Sequence, residues 1–401
     1  MRNPSPHLLL TYDFPPMTGG IARMMGEVAR RYPGGSLVVS TGSHPGSAAT
    51  DEAIARPIKR IVVPSSRLRT VQGLLTWTRA AAALDRTINS SFVWCGNFKP
   101  ATYPARWLHS RRGVPYGTVL HGSELLLLGD RLDRMLHKRV IARALLGAAA
   151  VLVANSRYTR ELALRVMGQL RLDGRLQVRV VLLGTDPAVF RPAVDTSAVR
   201  ARYGLDQGRW LVTVARLAAH KGIDTALHVV AALRTEFPDL RYAVVGSGVR
   251  HRQLEQLARD LGVKDRVRFL TDVPDADLPP LLNCAEVYLG LSRNVELMAE
   301  GFGIAITEAS ACGIPVVAGA SGGIPDAVRD GETGLLVEST APEPAIEAVR
   351  RLLRDGELAG RLGAGGRAAV KSFYNWDRVA AEMHELGVEF GRRPTRGARF
   401  E

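Results

Sequence analysis

The chain is predicted to be an α/β protein made of two units, each a parallel sheet with helices on both faces. Three observations predict it. Short runs rich in Val, Ile and Leu alternate with longer amphipathic stretches along the whole sequence, the pattern of parallel strands joined by crossover helices. The 401 residues suit two domains at about 100–200 residues each. Glycine-rich turns fall where apolar runs give way to helices, and open parallel sheets bind ligands at such turns, beyond the carboxyl ends of their strands.

The elements follow in order. Residues 7–11 read as a short buried strand. Gly19-Gly20 opens a helix over 21–32, and residues 36–40 and 114–120 read as further strands. A basic helix over 133–146 leads into a strand at 148–154. Asn155-Ser156 has the chemistry of a helix cap, and a strand at 178–183 closes the first unit. The stretch 184–192 is turn-rich and forms the joint. Strands at 210–214, 241–245, 267–270, 287–289 and 316–318 build the second unit. An amphipathic helix starts near Phe373, and residues 391–401 form a basic, Gly/Arg-rich tail expected to be disordered.

Composition narrows the function. No apolar run approaches the ~18 residues a spanning helix needs. The start lacks a signal-peptide layout, and three scattered cysteines suit reduced thiols. A cytoplasmic protein is expected, peripheral on the inner face of the cell membrane. Residues 1–190 hold 26 Lys/Arg against 11 Asp/Glu, an excess of +15, whereas residues 191–401 hold 27 against 28. The first half is therefore expected to meet an anionic surface or substrate. Nucleic acid is the poorer partner, because aromatic residues are 6% and a single-strand groove interleaves cations with stacking rings. An anionic membrane surface is the expected one.

The segment Glu300-Gly-Phe-Gly-Ile-Ala-Ile-Thr-Glu308 carries the most chemistry. Gly301 and Gly303 let a ligand approach the backbone. The helix beginning near Phe302, Gly303 and Ile304 aims free amides and partial positive charge at it. Glu300 in the loop and Glu308 about two turns into the helix can each accept from hydroxyls. A ligand with a central diphosphate and a sugar at each end, a nucleotide sugar, fits. Arg216 and Lys221 lie five residues apart in another strand-to-helix loop, placed to converge on a diphosphate. Gly19-Gly20 repeats the strand, glycine, helix order in the first half. His121 follows a strand end in His121-Gly-Ser-Glu124, and Val245-Gly-Ser-Gly248 lacks the third glycine of a dinucleotide fingerprint. Asp275 and Asp277 stand in a proline-rich turn, where capping is the better reading than metal binding. No cofactor and no metal are expected.

The Glu300-x7-Glu308 and Arg216-x4-Lys221 patterns resemble the retaining glycosyltransferases of family 4, and the Gly19-Gly20 loop is similar to that of the phosphatidylinositol mannosyltransferases and their relatives. The resemblance covers nearly the whole chain, most weakly over 40–110. It implies a GT-B fold, two Rossmann-like domains facing a central cleft: residues 1–190 for the acceptor, with a final helix over 373–390 packing back, and residues 191–372 for the donor. It implies that Arg216 and Lys221 neutralise the departing nucleoside diphosphate. It further implies that Glu300 and His121 contact the sugar and that Gly246 and Thr271 border the base. The donor would be GDP-mannose or a UDP-sugar, and the acceptor a hydroxyl of a lipid-linked carrier or glycan. Leu182-Leu-Gly-Thr-Asp186 replaces the family's Pro-Asn-Gly-Val-Asp, which removes any contact of that Asn side chain. A nucleotide-sugar epimerase or phosphorylase of the same fold, or a transferase with a soluble small-molecule acceptor, is the alternative.

Overall fold

A computed structural model describes residues 6–64, 67–132, 134–172, 174 and 176–391. The chain forms two compact units, one of residues up to Val181 together with those from Trp376, the other Leu182–Asn375.

The first unit carries β1 (His7–Leu10), β2 (Leu37–Ser43), β3 (Ile58–Pro64), β4 (Phe92–Cys95), β5 (Tyr116–Leu120), β6 (Val151–Ala154) and β7 (Gln177–Val180). All pair parallel in the order β3-β2-β1-β4-β5-β6-β7. Strands β1, β4, β5 and β6 are buried at every position. That is why β1 and β6 read as continuous apolar runs instead of alternating ones. The helices are α1 (Gly20–Arg31), α2 (Ser47–Ile54), α3 (Val71–Ile88), α4 (Thr102–Arg112), α5 (Ser123–Leu132), α6 (Leu136–Leu146) and α7 (Arg157–Leu170). Ser156 caps α7, its hydroxyl accepting from the Thr159 amide at 3.1 Å.

The second unit carries α8 (Ser197–Tyr203), β8 (Arg209–Val214), α9 (Ile223–Leu233), β9 (Leu240–Val245), α10 (His251–Asp260) and β10 (Val267–Leu270). It continues with α11 (Leu278–Leu282), β11 (Ala285–Gly290), α12 (Ile304–Ala311), β12 (Val316–Gly319), β13 (Leu335–Val337), α13 (Glu343–Arg354) and α14 (Gly356–Ser372). Its sheet is parallel, in the order β10-β9-β8-β11-β12-β13. Each sheet has its own buried core, around Trp77 and Leu120 in the first unit and around Leu211 and Val230 in the second.

The last helix, α15 (Trp376–Glu389), belongs to the first unit and packs on α1. It buries Trp376, Val379, Ala380 and Met383, and Asp377 meets Arg31 at 3.3 Å. Residues 182–190, which the sequence assigned to the first domain, belong with the second. The Thr185 amide donates to the Tyr374 carbonyl at 3.0 Å, and a Cβ on Gly184 would lie 2.6 Å from the backbone of Tyr374 and Asn375. Strands β3, β4 and β13 were not among those the sequence named. The basic helix begins at Leu136; Asp133, its expected start, and the tail 392–401 lie outside the described residues. No described helix is long and apolar enough to cross a membrane.

Candidate active site

The strand order of the second unit reverses between β8 and β11. At such a switch point the loops leaving the two strands diverge and open a crevice for a ligand. The loop after β8 bears Arg216 and Lys221; the loop after β11 bears Glu300 and runs into α12. Lys221 and Glu300, 79 residues apart in sequence, meet as an ion pair, the ammonium donating to Oε2.

Two glycine contacts make that meeting possible. Gly222 takes φ +66°, and a Cβ there would lie 1.8 Å from the Leu291 carbonyl oxygen, so only glycine lets the Lys221 loop lie against the end of β11. On the other side, the Gly323 amide donates to the Glu300 carbonyl at 2.8 Å, and a Cβ on Gly322 would lie 2.4 Å from that oxygen. Arg293 grips Asp224 with two hydrogen bonds of 2.6 and 3.0 Å and donates to the Thr225 hydroxyl at 3.0 Å, tying the β11 loop to α9. Gly322, Gly323, Arg293 and His220 were not singled out in the sequence. Their roles rest on contacts between loops far apart in the chain, which local pattern does not report.

Charge in the site is tightly coupled. Burial pushes the Glu300 carboxyl up, but Lys221, with His220 and Arg216 beyond it, outweighs burial and holds it below the usual carboxylate range. His220 is buried, and burial reinforced by Lys221 depresses it to about 4, so it is neutral near pH 7. Its Nδ1 has no hydrogen-bond partner among the described residues. Burial also pushes Asp224 up, and Arg293 reverses this and keeps it ionised. The Arg216 side chain is exposed, with no ion-pair or hydrogen-bond partner among the described residues.

At the start of α12, Gly303 adopts φ +106° and no described side chain caps the helix, so its leading amides are open to an acceptor. Ile304 is the first helical residue. Phe302 is buried against Tyr374, ring centroids 6.2 Å apart. Glu308 is 3% exposed and lies a little over one turn from Ile304, closer to the helix start than the two turns expected. Gly246 takes φ +132°, and a Cβ there would lie 2.2 Å from the Ala215 carbonyl oxygen, so its first duty is to let the turn after β9 pack on the Arg216 loop. Thr271 is exposed immediately past β10.

Gly19, Gly20 and His121 belong to the first unit. Gly19 precedes α1 with φ +121° and open space around its Cα. His121 is buried and its Nε2–H donates to the Gly96 carbonyl at 2.8 Å, while its own amide donates to Glu124 Oε1 at 2.5 Å. Asp277 does not cap α11: its carboxylate accepts from Tyr203 at 2.6 Å and Arg202 at 2.7 Å, which binds it to α8. Among the described residues no group of three or more His, Cys, Asp or Glu is placed to hold a metal.

Known proteins resemble this chain in sequence and in fold. The family described as glycosyl transferases group 1 matches residues 195–369. A GDP-mannose-dependent alpha-(1-6)-phosphatidylinositol monomannoside mannosyltransferase of Mycolicibacterium smegmatis is 33% identical over 404 residues, spanning 98% of this chain and 100% of that protein. A D-inositol 3-phosphate glycosyltransferase of Streptomyces bingchenggensis is 36% identical over 255 residues, 61% of this chain and 54% of that one. Among solved structures, Anabaena HepE in complex with UDP and glucose superimposes with a TM-score of 0.76 at 18% identity, covering 96% of this chain and 99% of that one. The sucrose-phosphate synthase of Thermosynechococcus elongatus gives a TM-score of 0.75 at 21% identity over 96% and 98%. The fold is GT-B, and with relatives matched from end to end the chain belongs to the group 1 glycosyltransferases and is a glycosyltransferase.

Proposed function

We propose that this enzyme transfers a mannosyl group from GDP-mannose to a hydroxyl of a phosphatidylinositol-type lipid, with retention at the anomeric carbon and without a metal ion. The observation that carries the reading is the Lys221–Glu300 pair at the β8/β11 switch point, with Arg216 in the same loop and without a side-chain partner among the described residues. Cations at the leaving diphosphate and a carboxylate at the sugar are what glycosyl transfer from a nucleotide sugar needs. The names of the relatives that align over nearly the full chain support mannose, guanosine and inositol lipid.

In this reading Arg216 and Lys221 face the diphosphate, where negative charge grows as the glycosidic bond breaks, and so stabilise the transition state more than the ground state. They take the place a divalent ion would otherwise fill. The amides at the start of α12 accept the same diphosphate, and Glu308 binds the ribose hydroxyls. Glu300 positions the mannose. The acceptor hydroxyl attacks from the face the diphosphate leaves, and a diphosphate oxygen takes its proton. Gly246 and Thr271 border the base. A lipid acceptor makes the enzyme peripheral on a membrane.

Incubation with GDP-mannose and phosphatidylinositol in mixed micelles tests this. Mass spectrometry should show one hexose added to the lipid, the product's anomeric proton should report an α-linkage, and EDTA should leave the rate unchanged. Transfer from UDP-glucose alone, or an EDTA-sensitive rate restored by Mn²⁺, would overturn the assignment.

A further inference from the structure

A second ion pair joins the segments leaving β8 and β11. Lys221 of the first segment meets Glu300 of the second. Three residues past Lys221, Asp224 stands in the first turn of α9. Seven residues before Glu300, Arg293 grips that carboxylate with hydrogen bonds of 2.6 and 3.0 Å. The polarity is opposite in the two pairs. The β8 segment supplies the cation of one and the anion of the other.

The pairs differ in what a donor does to them. Lys221 and Glu300 face the diphosphate and the sugar in the reading above, so the donor draws them apart. Asp224 and Arg293 are committed to the protein. Arg293 divides its guanidinium between Asp224 and the Thr225 hydroxyl, the latter at 3.0 Å, and has no other side-chain partner among the described residues. Its amide donates to the His220 carbonyl at 2.8 Å, so its backbone and its side chain hold the same segment. From the turn after β9, Arg250 reaches Asp224 at 3.7 Å, and its amide donates to the Leu217 carbonyl at 3.2 Å. Asp224 is therefore met from both neighbours of the loop that bears Arg216 and Lys221. With side chains 19% and 23% exposed, the Arg293–Asp224 pair is weak evidence for stability in itself. Its place distinguishes it, because it spans two loops whose other ion pair opens when donor binds.

We propose that Asp224 and Arg293 are a positioning pair, which keeps the loops bearing Lys221 and Glu300 in register while the donor separates those two residues. The pair acts on the reaction through Lys221 and Glu300, and its part in turnover rests on the donor reading above. Its tie between the loops does not.

Hydrogen exchange with mass spectrometry on the donor-free full chain tests the tie. The readout is the peptides over 291–299, in which the Arg293 amide crosses to His220. Either pair alone should hold the loops. K221M and R293M should each raise exchange less than about threefold and K221M/R293M at least about thirtyfold, the non-additivity of residues acting on one structure. R250M, which removes a longer contact, should change exchange less than about threefold. D224N should repeat R293M, and replaces it in the double variant if R293M fails to fold by circular dichroism. A double variant that exchanges no faster than the product of the single effects would overturn the tie.

Turnover tests its use, with whichever of GDP-mannose and UDP-glucose the wild type accepts. D224N and R293M should lose about ten- to a hundredfold in kcat, the scale on which a misplacement of about 1 Å slows a reaction. Their affinity for the matching nucleoside diphosphate should stay within about threefold of wild type, because Arg216 and Lys221 remain. R293K keeps a charged donor and should turn over faster than R293M. A role confined to folding would lower Tm and the active fraction but leave kcat per binding site intact. Unchanged kcat per site, equal losses of affinity and kcat, or R293K no faster than R293M would overturn the positioning role. A wild type inactive with both donors strikes the proposed function, while the exchange measurement needs no donor and still decides the tie.

Discussion

Without donor, Lys221 and Glu300 hold each other, so donor binding must divide what they share. Replacing Glu300 by Gln releases Lys221. The side chains are 15% and 20% exposed, between surface pairs worth up to ~1 kcal/mol and buried pairs whose breaking costs ~3–5 kcal/mol. An intermediate value of ~1–2 kcal/mol follows for the attraction the diphosphate must overcome. E300Q should therefore bind GDP about five- to thirtyfold more tightly than wild type, since ~1.4 kcal/mol is tenfold. It should lose most of its turnover, because the sugar has lost its acceptor. K221M should do the reverse to GDP. It removes a charge-assisted hydrogen bond and leaves Glu300 beside the diphosphate, weakening binding by at least tenfold. The double variant should fall between the two. Isothermal titration calorimetry with GDP and GDP-mannose measures all four proteins. If E300Q binds GDP more weakly than wild type, by as much as K221M does, the two residues act together on the diphosphate and the division of roles is wrong.

Glu308→Ala should weaken GDP and GDP-mannose alike, by about ten- to a hundredfold, in the same calorimetry; unchanged binding would remove Glu308 from the ribose. His220 should make the protein acid-sensitive. Its folded value of about 4 lies below the ordinary 6.5, so the unfolded chain binds more protons between them. That contribution is whole above pH 6.5, is lost as pH falls towards 4, and amounts to about 3 kcal/mol. Thermal melts of H220Q should show a flatter loss between pH 7 and 4 than wild type. Gly222 and Gly262 share φ near +66°, but an added Cβ would lie 1.8 Å from the Leu291 carbonyl oxygen at Gly222 and would meet nothing within 4 Å at Gly262. G262A should cost ~1–2 kcal/mol of strain and G222A ~4 kcal/mol or more, read as a much larger fall in Tm. D277A should lower Tm by severing Tyr203 and Arg202 while leaving the EDTA-treated rate intact.

Much was legible in the residues themselves. Strands such as Val316–Gly319 read directly, because burial on both faces of a parallel sheet demands unbroken apolar runs. The Glu300-to-Glu308 segment was legible because glycine, helix start and carboxylate chemistry are local. Arg216 and Lys221 share one loop and were legible for the same reason. What no stretch of sequence contains is the strand order. The reversal between β8 and β11 alone places two loops 79 residues apart side by side and pairs Lys221 with Glu300. It also makes Gly222 and Gly322 indispensable, since a Cβ on either would strike a backbone carbonyl of another loop. In the basic first half, composition reported the excess of charge but not its use. Arg139 and Arg143 cap a neighbouring helix, because hydrogen-bond acceptors are supplied by packing and not by sequence spacing.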